Sequence, residues 1–183
     1  MAEKDLIRKK YFLKRKKKYF QVKENFFIPL VKLIKHKLKD NNAYIGLYFP
    51  SSSELNVLKI LNIEYFKKTK FLLPAIEENN SMNFYKWKSN DLLFLNKYGI
   101  PEPNKSKKII PSVILVPLLA YDKKKNRLGY GKGFYDKYFH KFKKLNKRML
   151  IVGVAFSFQK YNNLPVNFKD FKLDYIITEK GII

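Results

Sequence analysis

Hydrophobic residues fall along this chain in two rhythms. Over residues 3 to about 39 they recur at helical spacing among lysines: Leu6, Ile7, Phe12 and Phe20, then Phe27, Leu30, Val31, Ile34 and Leu38. Pro29 has no N–H to donate and divides this stretch into two predicted helices. Tyr44-Ile45-Gly46-Leu47-Tyr48-Phe49 is a nearly continuous apolar run closed by Pro50, the pattern of a strand buried on both faces. Ser51-Ser52-Ser53 then offers a helix cap and Glu54 a first-turn carboxylate. Leu55, Leu58, Ile60 and Leu61 extend this into a predicted amphipathic helix of about twelve residues. Residues 70–74 and 82–87 read as short strands, and Gly99-Ile100-Pro101-Glu102-Pro103 as a turn or extended loop. Residues 112–120 form the most hydrophobic strand, which Pro117 ends or bends. A polar turn at 122–126 leads into Arg127-Leu128-Gly129-Tyr130-Gly131-Lys132-Gly133-Phe134-Tyr135-Asp136 and a helix to about Lys144. Residues 150–158 and 171–178 are the last predicted strands.

Buried strands alternating with helices predict an α/β fold on a mainly parallel sheet. Ligands of such sheets bind at the carboxyl ends of the strands. The loops after Phe49, Ala120 and Phe158 are therefore the ones to inspect.

The length, 183 residues, suits one domain. With 46% hydrophobic and 16% aromatic residues there is ample material for a core, which excludes a disordered chain. The charge complicates the picture. Lys and Arg number 39 against 15 Asp and Glu, a net +24, which invites a nucleic-acid reading. Lys, Asn, Ile, Phe and Tyr are enriched together, however, as A/T-rich codons would enrich them. Only four of the basic residues are arginine: Arg8, Arg15, Arg127 and Arg148. A surface built to grip phosphates uses the planar arginine fork more often. The run Lys14-Arg15-Lys16-Lys17-Lys18 reads as a solvated helix face, with a localisation signal or RNA arm as the sharper alternative. The absence of cysteine excludes disulfides, thiolate metal sites and thiol catalysis. No apolar run approaches the ~20 residues of a membrane span, and no secretory signal is visible, so a soluble, cytoplasmic protein is expected.

Chemistry concentrates in the glycine segment. Alternate glycines at 129, 131 and 133 leave backbone N–H groups free to converge on an anion, and the following helix presents its positive end to the same spot. Arg127 and Lys132 add charge, and Asp136 can hold magnesium against phosphate oxygens. The segment matches neither the Walker A pattern nor G-x-G-x-x-G, and a tight turn needing glycines is the plainer reading. Glu54 stands where the sheet rule puts ligands, or serves the helix dipole. Asp174 interrupts the last apolar strand and needs a partner or a metal. Lys4 and Arg8, four apart on one helix, either hold a phosphate together or are simply exposed. His36 and His140 are too few for a histidine metal site, and Asp136 with His140 at i, i+4 is a weak pair.

In order, Lys4-x-x-x-Arg8, Tyr48-Phe49-Pro50 with Glu54, Leu73-Pro74, Gly99-Ile100-Pro101-Glu102-Pro103, Leu115-Val116-Pro117-Leu118-Leu119-Ala120-Tyr121-Asp122 and the Arg127–Asp136 segment span the chain. Together they strongly resemble the 5-formyltetrahydrofolate cyclo-ligase family, whose R-L-G-x-G-x-G-[FY]-Y-D segment is highly specific. The resemblance implies a three-layer α/β/α sandwich. It also implies ATP- and Mg2+-dependent closure of 5-formyltetrahydrofolate to 5,10-methenyltetrahydrofolate, releasing ADP and phosphate. Carried over by position, Lys4, Asp5, Leu6, Ile7 and Arg8 belong to the ATP site, as do Arg127, Leu128, Gly129, Tyr130, Gly131, Lys132, Gly133, Phe134 and Tyr135. Phe49, Glu54 and Tyr98 bind folate, and Tyr130, Gly131, Lys132, Gly133 and Phe134 face it as well. Arg8 and Lys132 act at the transferred phosphoryl group, and Asp136 and Asp174 are magnesium carboxylates. Two departures stand out: Leu55-Asn56-Val57 follows Glu54 where the family has a further acidic or Thr position, and Phe134 replaces a common Tyr. The implied partners are ATP and the folate, with its polyglutamate state left open. A monomer is expected, with no nucleic acid and no membrane. A basic RNA-binding or ribosome-associated protein is the alternative.

Overall fold

The computed structural model describes residues 3–38, 43–145 and 149–183. Arg148 and the last residue of the first predicted helical stretch lie outside them. In chain order the elements begin with α1 (Glu3–Lys18), a turn of 3-10 helix (Glu24–Phe27) and α2 (Ile28–Lys37). Then come β1 (Tyr44–Gly46), β2 (Lys70–Ile76), β3 (Met82–Lys86), β4 (Leu93–Leu95) and β5 (Pro101–Pro103). The second half holds β6 (Val113–Pro117), β7 (Ala120–Tyr121), β8 (Arg127–Leu128), α3 (Phe134–Lys144), β9 (Leu150–Val154), β10 (Tyr175–Thr178) and β11 (Gly181–Ile182). Among these residues no helix is long and apolar enough to cross a membrane.

The main sheet runs β11-β10-β9-β6-β1-β2-β3. Its five inner strands are parallel, and β3 and β11 close the edges antiparallel. Side chains of one strand leave on alternate faces. Val113 and Leu115 join the layer built on α2 (Leu30, Ile34), while Ile114 and Val116 pack under α3 (Tyr138, Phe139, Phe142). A sheet buried on both faces explains why its strands read as unbroken apolar runs. The result is the expected α/β sandwich. A third cluster, Ile7 and Tyr11 of α1 with Leu119, Ala120, Leu128 and Leu164, fastens the N-terminal helix onto the β7–β8 hairpin.

Three sequence expectations are corrected. The stretch does divide into two helices, but the break precedes Pro29, which sits in the first turn of α2, where a missing N–H costs nothing. The amphipathic α-helix after Glu54 is instead two 3-10 turns, Val57–Asn62 and Glu64–Phe66. Val57, Ile60, Ile63 and Phe66 recur every three residues and face the core, which fits three residues per turn. The Asn56 side chain secures the first turn by accepting from the Leu58 N–H at 3.0 Å. Finally, Pro101–Pro103, expected in a turn or extended loop, pairs as a strand in a hairpin with Leu93–Leu95, while the polar turn expected at 122–126 closes a second hairpin over residues 120–128. The second is tied by Asp122, whose Oδ1 accepts from the Lys124 and Asn126 N–H groups at 2.9 and 3.0 Å.

Chain order places the crevice. From β1 the chain crosses to β2 on one side, and it later returns as β6 on the other. Loops leaving the carboxyl ends of β1 and β6 therefore diverge, and a space opens between them.

Candidate functional site

A cleft of about 1120 Å3 lies at that divergence. Phe49, Ser51 and Glu54 line it from the loop after β1, Pro74 and Ile76 from the end of β2, and Pro117 from the end of β6. Asn96, Tyr98 and Glu102 of the β4–β5 hairpin form one wall. The glycine loop forms the floor, with Lys4 and Arg8 of α1 beside it. Lys137, Lys141 and Lys144 of α3, with Lys169, add cations along the rim. Part of the large positive charge thus gathers where it draws anionic ligands inward.

The glycine loop takes the backbone its residues permit. Gly131 has φ +95° and Gly133 φ +68°, values that side-chain-bearing residues avoid. Gly133 is the N-cap of α3, so the positive end of that helix opens onto the cleft. Arg8 lies against the loop: its Nε donates to the Gly129 carbonyl at 3.1 Å, and its Nη1 meets Asp5 at 2.5 Å. A Cβ on Gly131 would come within 3.3 Å of the Arg8 guanidinium carbon. Lys4 pairs with Asp170, a cleft residue that no sequence motif marked. Leu6 is exposed and Ile7 is buried in the third cluster, so neither side chain reaches the cleft. Lys132 turns over the Tyr98 ring, 5.3 Å from its centroid, and Tyr98 approaches Phe134 at 6.0 Å.

Arg127 is buried rather than free. Its Nη2 donates to Asp136 Oδ1 at 2.8 Å, and the same oxygen accepts from the Phe171 N–H at 3.1 Å. The pair pins the loop to α3. Arg127→Met would leave the Asp136 carboxylate without its cation. The expected cost is about 3 kcal/mol, a Tm fall on the order of 10 °C. Thermal unfolding checks this, and an unchanged Tm would contradict it.

Asp174 is not brought to the cleft. Its Oδ2 accepts from the Ile151 N–H at 2.8 Å, beside the first residues of β9. That is the amino edge of the parallel strands, opposite the site. The carboxylate's need for a partner is met by backbone, away from the cleft in which it was expected to hold magnesium. Asp136 remains in the cleft with one oxygen engaged and a second to offer. Among the described residues no three His, Cys, Asp or Glu side chains cluster as a metal cage.

Glu54 is only 6% exposed. Its Oε2 accepts from the Ser51 N–H at 2.9 Å and Ser51 Oγ at 3.3 Å, and its Oε1 accepts from the Tyr130 hydroxyl. With no α-helix following, it serves no helix dipole. Burial raises its pKa above the carboxylate norm, while the Tyr130 and Ser51 hydrogen bonds and the charge of Arg15 pull the other way. The neighbouring phenols of Tyr48, Tyr130 and Tyr135 are all raised, by burial first and then by the negative charge of Glu54. They therefore stay protonated, and Tyr130 donates.

Arg15 departs from the solvated helix face expected of its basic run. It is 2% exposed, not part of a solvated face, and its Cζ lies 5.5 Å from the Tyr130 ring centroid. In the same basic run Lys14 is also occupied, its Nζ donating to the Phe158 carbonyl at 2.7 Å.

A family model described as the 5-formyltetrahydrofolate cyclo-ligase family matches residues 1–179. The 5-formyltetrahydrofolate cyclo-ligase of Mycoplasma genitalium is 27% identical over 184 residues, covering 97% of this chain and 98% of its own. That of Haemophilus influenzae is 29% identical over 136 residues, 70% of this chain and 72% of its own. The NMR structure of Aquifex aeolicus 5,10-methenyltetrahydrofolate synthetase superposes with a TM-score of 0.77 at 28% identity, covering 99% of this chain and 92% of that one.

Proposed function

The chain belongs to the 5-formyltetrahydrofolate cyclo-ligase family and is a ligase, and from that premise we propose that this cleft holds ATP on the glycine loop and the folate against Glu54. One observation carries this reading. An anion cradle backed by Arg8 and a buried hydrogen-bonding carboxylate open into the same cavity.

The chemistry needs both halves. The formyl oxygen on N5 is a poor leaving group. Its attack on the γ-phosphorus of ATP forms the O–P bond and expels ADP, leaving an iminium phosphate. The N10 lone pair then attacks that carbon, the C–O bond breaks, and phosphate departs as N10 gives up its proton and the ring closes. Little covalent work falls to the protein, whose task is positioning and charge neutralisation. The loop N–H groups and the α3 terminus receive the phosphates, and Arg8 and Lys132 supply cations at the transferred group. Glu54 accepts pterin N–H groups, with Phe49 and Tyr98 packing the rings. Magnesium fits here as the ion carried by ATP, with Asp136 as its protein carboxylate, and it would neutralise phosphate charge.

Under this reading, ADP release requires both substrates. Mixing protein with ATP and Mg2+, with and without 5-formyltetrahydrofolate, tests it; ADP formation indifferent to the folate would count against it. Lys132→Ala, removing an exposed cation, is expected to raise KM for ATP about fivefold, corresponding to ~1 kcal/mol. Steady-state kinetics with ATP varied reads this, and unchanged constants would refute the role.

A further inference from the structure

Lys4, Arg8, Tyr11 and Arg15 follow one another at steps of four, three and four, so they share one face of α1. Lys4 and Arg8 end in the cleft, and Tyr11 anchors the helix by donating to the Lys160 carbonyl at 2.8 Å. Arg15 lies farther along this stripe, behind the glycine loop. Its Nη1 makes a long contact, 3.4 Å to the Leu118 carbonyl, its buried Nε and Nη2 have no hydrogen-bond partner, and among the described residues its one other polar interaction is with the Tyr130 side chain. A buried guanidinium left so poorly satisfied costs stability, and an apolar side chain of similar length would fill the space more cheaply. What the charge does face is the Tyr130 ring, whose hydroxyl donates to Glu54.

We propose that Arg15 is a positioning residue that, through Tyr130, holds Glu54 as the anionic acceptor of the folate site. The inference rests on the reading of Glu54 as the folate carboxylate. The groups around Glu54 leave this task to Arg15. Tyr48 from the loop after β1, and Tyr130 and Tyr135 from the glycine loop and α3, are neutral phenols that turn negative if they ionise. Ser51 is uncharged, and Arg127 acts on Tyr135. Arg15 is the cation whose field reaches Glu54 and Tyr130 together, favouring the carboxylate against burial. Its guanidinium, 5.5 Å from the Tyr130 ring centroid, also holds that ring where its hydroxyl reaches Glu54.

The test titrates the Glu54 carboxyl carbon by 13C NMR in the ligand-free protein, with Glu54→Gln assigning the resonance. Arg15→Met is expected to move its midpoint up by about one pH unit, and Arg15→Lys to restore most of that shift. The acid limb of kcat/KM for 5-formyltetrahydrofolate should move by the same amount, with KM for ATP changed by less than about twofold. An unmoved Glu54 midpoint in folded Arg15→Met would overturn the proposal. The wild-type protein supplies a check that needs no Arg15 variant. Its Arg15 Nε–H resonance should shift with pH at the Glu54 midpoint, and that step should vanish in Glu54→Gln. A resonance indifferent to Glu54 ionisation would also overturn the proposal. Both titrations are made without substrate. Coupling without turnover therefore condemns the folate reading, and turnover without coupling condemns the role of Arg15.

Discussion

Glu54→Gln is expected to lower kcat/KM for 5-formyltetrahydrofolate by about 100-fold while leaving ATP binding within a few-fold of wild type. The amide keeps the shape but loses the charge. Hydrogen bonds to a charged acceptor contribute about 1.5–3 kcal/mol, and each 1.4 kcal/mol is tenfold in rate. Stability should respond in the opposite sense. Because burial raises the Glu54 pKa, the folded protein holds this proton more tightly than the unfolded chain. The stability contributed by that proton is present below the ordinary carboxylate pKa and is lost as pH rises through the raised value. An uncharged side chain escapes this loss. Ligand-free Glu54→Gln should therefore melt no lower than wild type at neutral pH, with the difference shrinking as pH falls. Equal damage to folate and ATP use, or a markedly lower Tm, would mark Glu54 as structural.

Gly131→Ala is expected to cut kcat/KM for ATP by about 100-fold through displacement of Arg8 from the loop, with backbone strain of about 1–3 kcal/mol falling on stability. The new Cβ is strained at φ +95° and meets the guanidinium that lies on the loop. Gly133→Ala separates these causes. It also has positive φ, but nothing lies within 4 Å of its Cβ, so its expected cost is about 1–2 kcal/mol of stability with a smaller kinetic loss. Kinetic losses of the same size in the two variants would show that the Arg8 contact is not what matters.

The apolar runs at 44–49 and 112–117 revealed their strands because a sheet covered on both faces leaves no polar alternation to misread. The glycine loop was legible for a related reason: its φ values demand the residues that announce it. What stayed hidden depended on contacts between distant segments. Asp174 looked like a metal ligand because a carboxylate in an apolar strand needs a partner, and no pattern reveals that a backbone N–H of β9 supplies it. Asp170 pairs with Lys4 across most of the chain's length. The 3-10 turns were visible in principle, since 57, 60, 63 and 66 repeat every three residues, but the cap-like serines before them argued for an α-helix. Arg15 was readable as well. Grouped with Lys14 and Lys16 it looks solvated, whereas seven residues beyond Arg8 it falls on the buried face.

If the two halves of the cleft act on one reaction, methenyl product forms only as ATP is consumed. The most direct measurement mixes purified protein with 5-formyltetrahydrofolate, ATP and Mg2+ and follows near-ultraviolet absorbance of the conjugated methenyl product while ADP is counted. That absorbance is expected to grow only when ATP is present, with one ADP formed per product. Absorbance that stays flat with both substrates present, or rises equally without ATP, would contradict it.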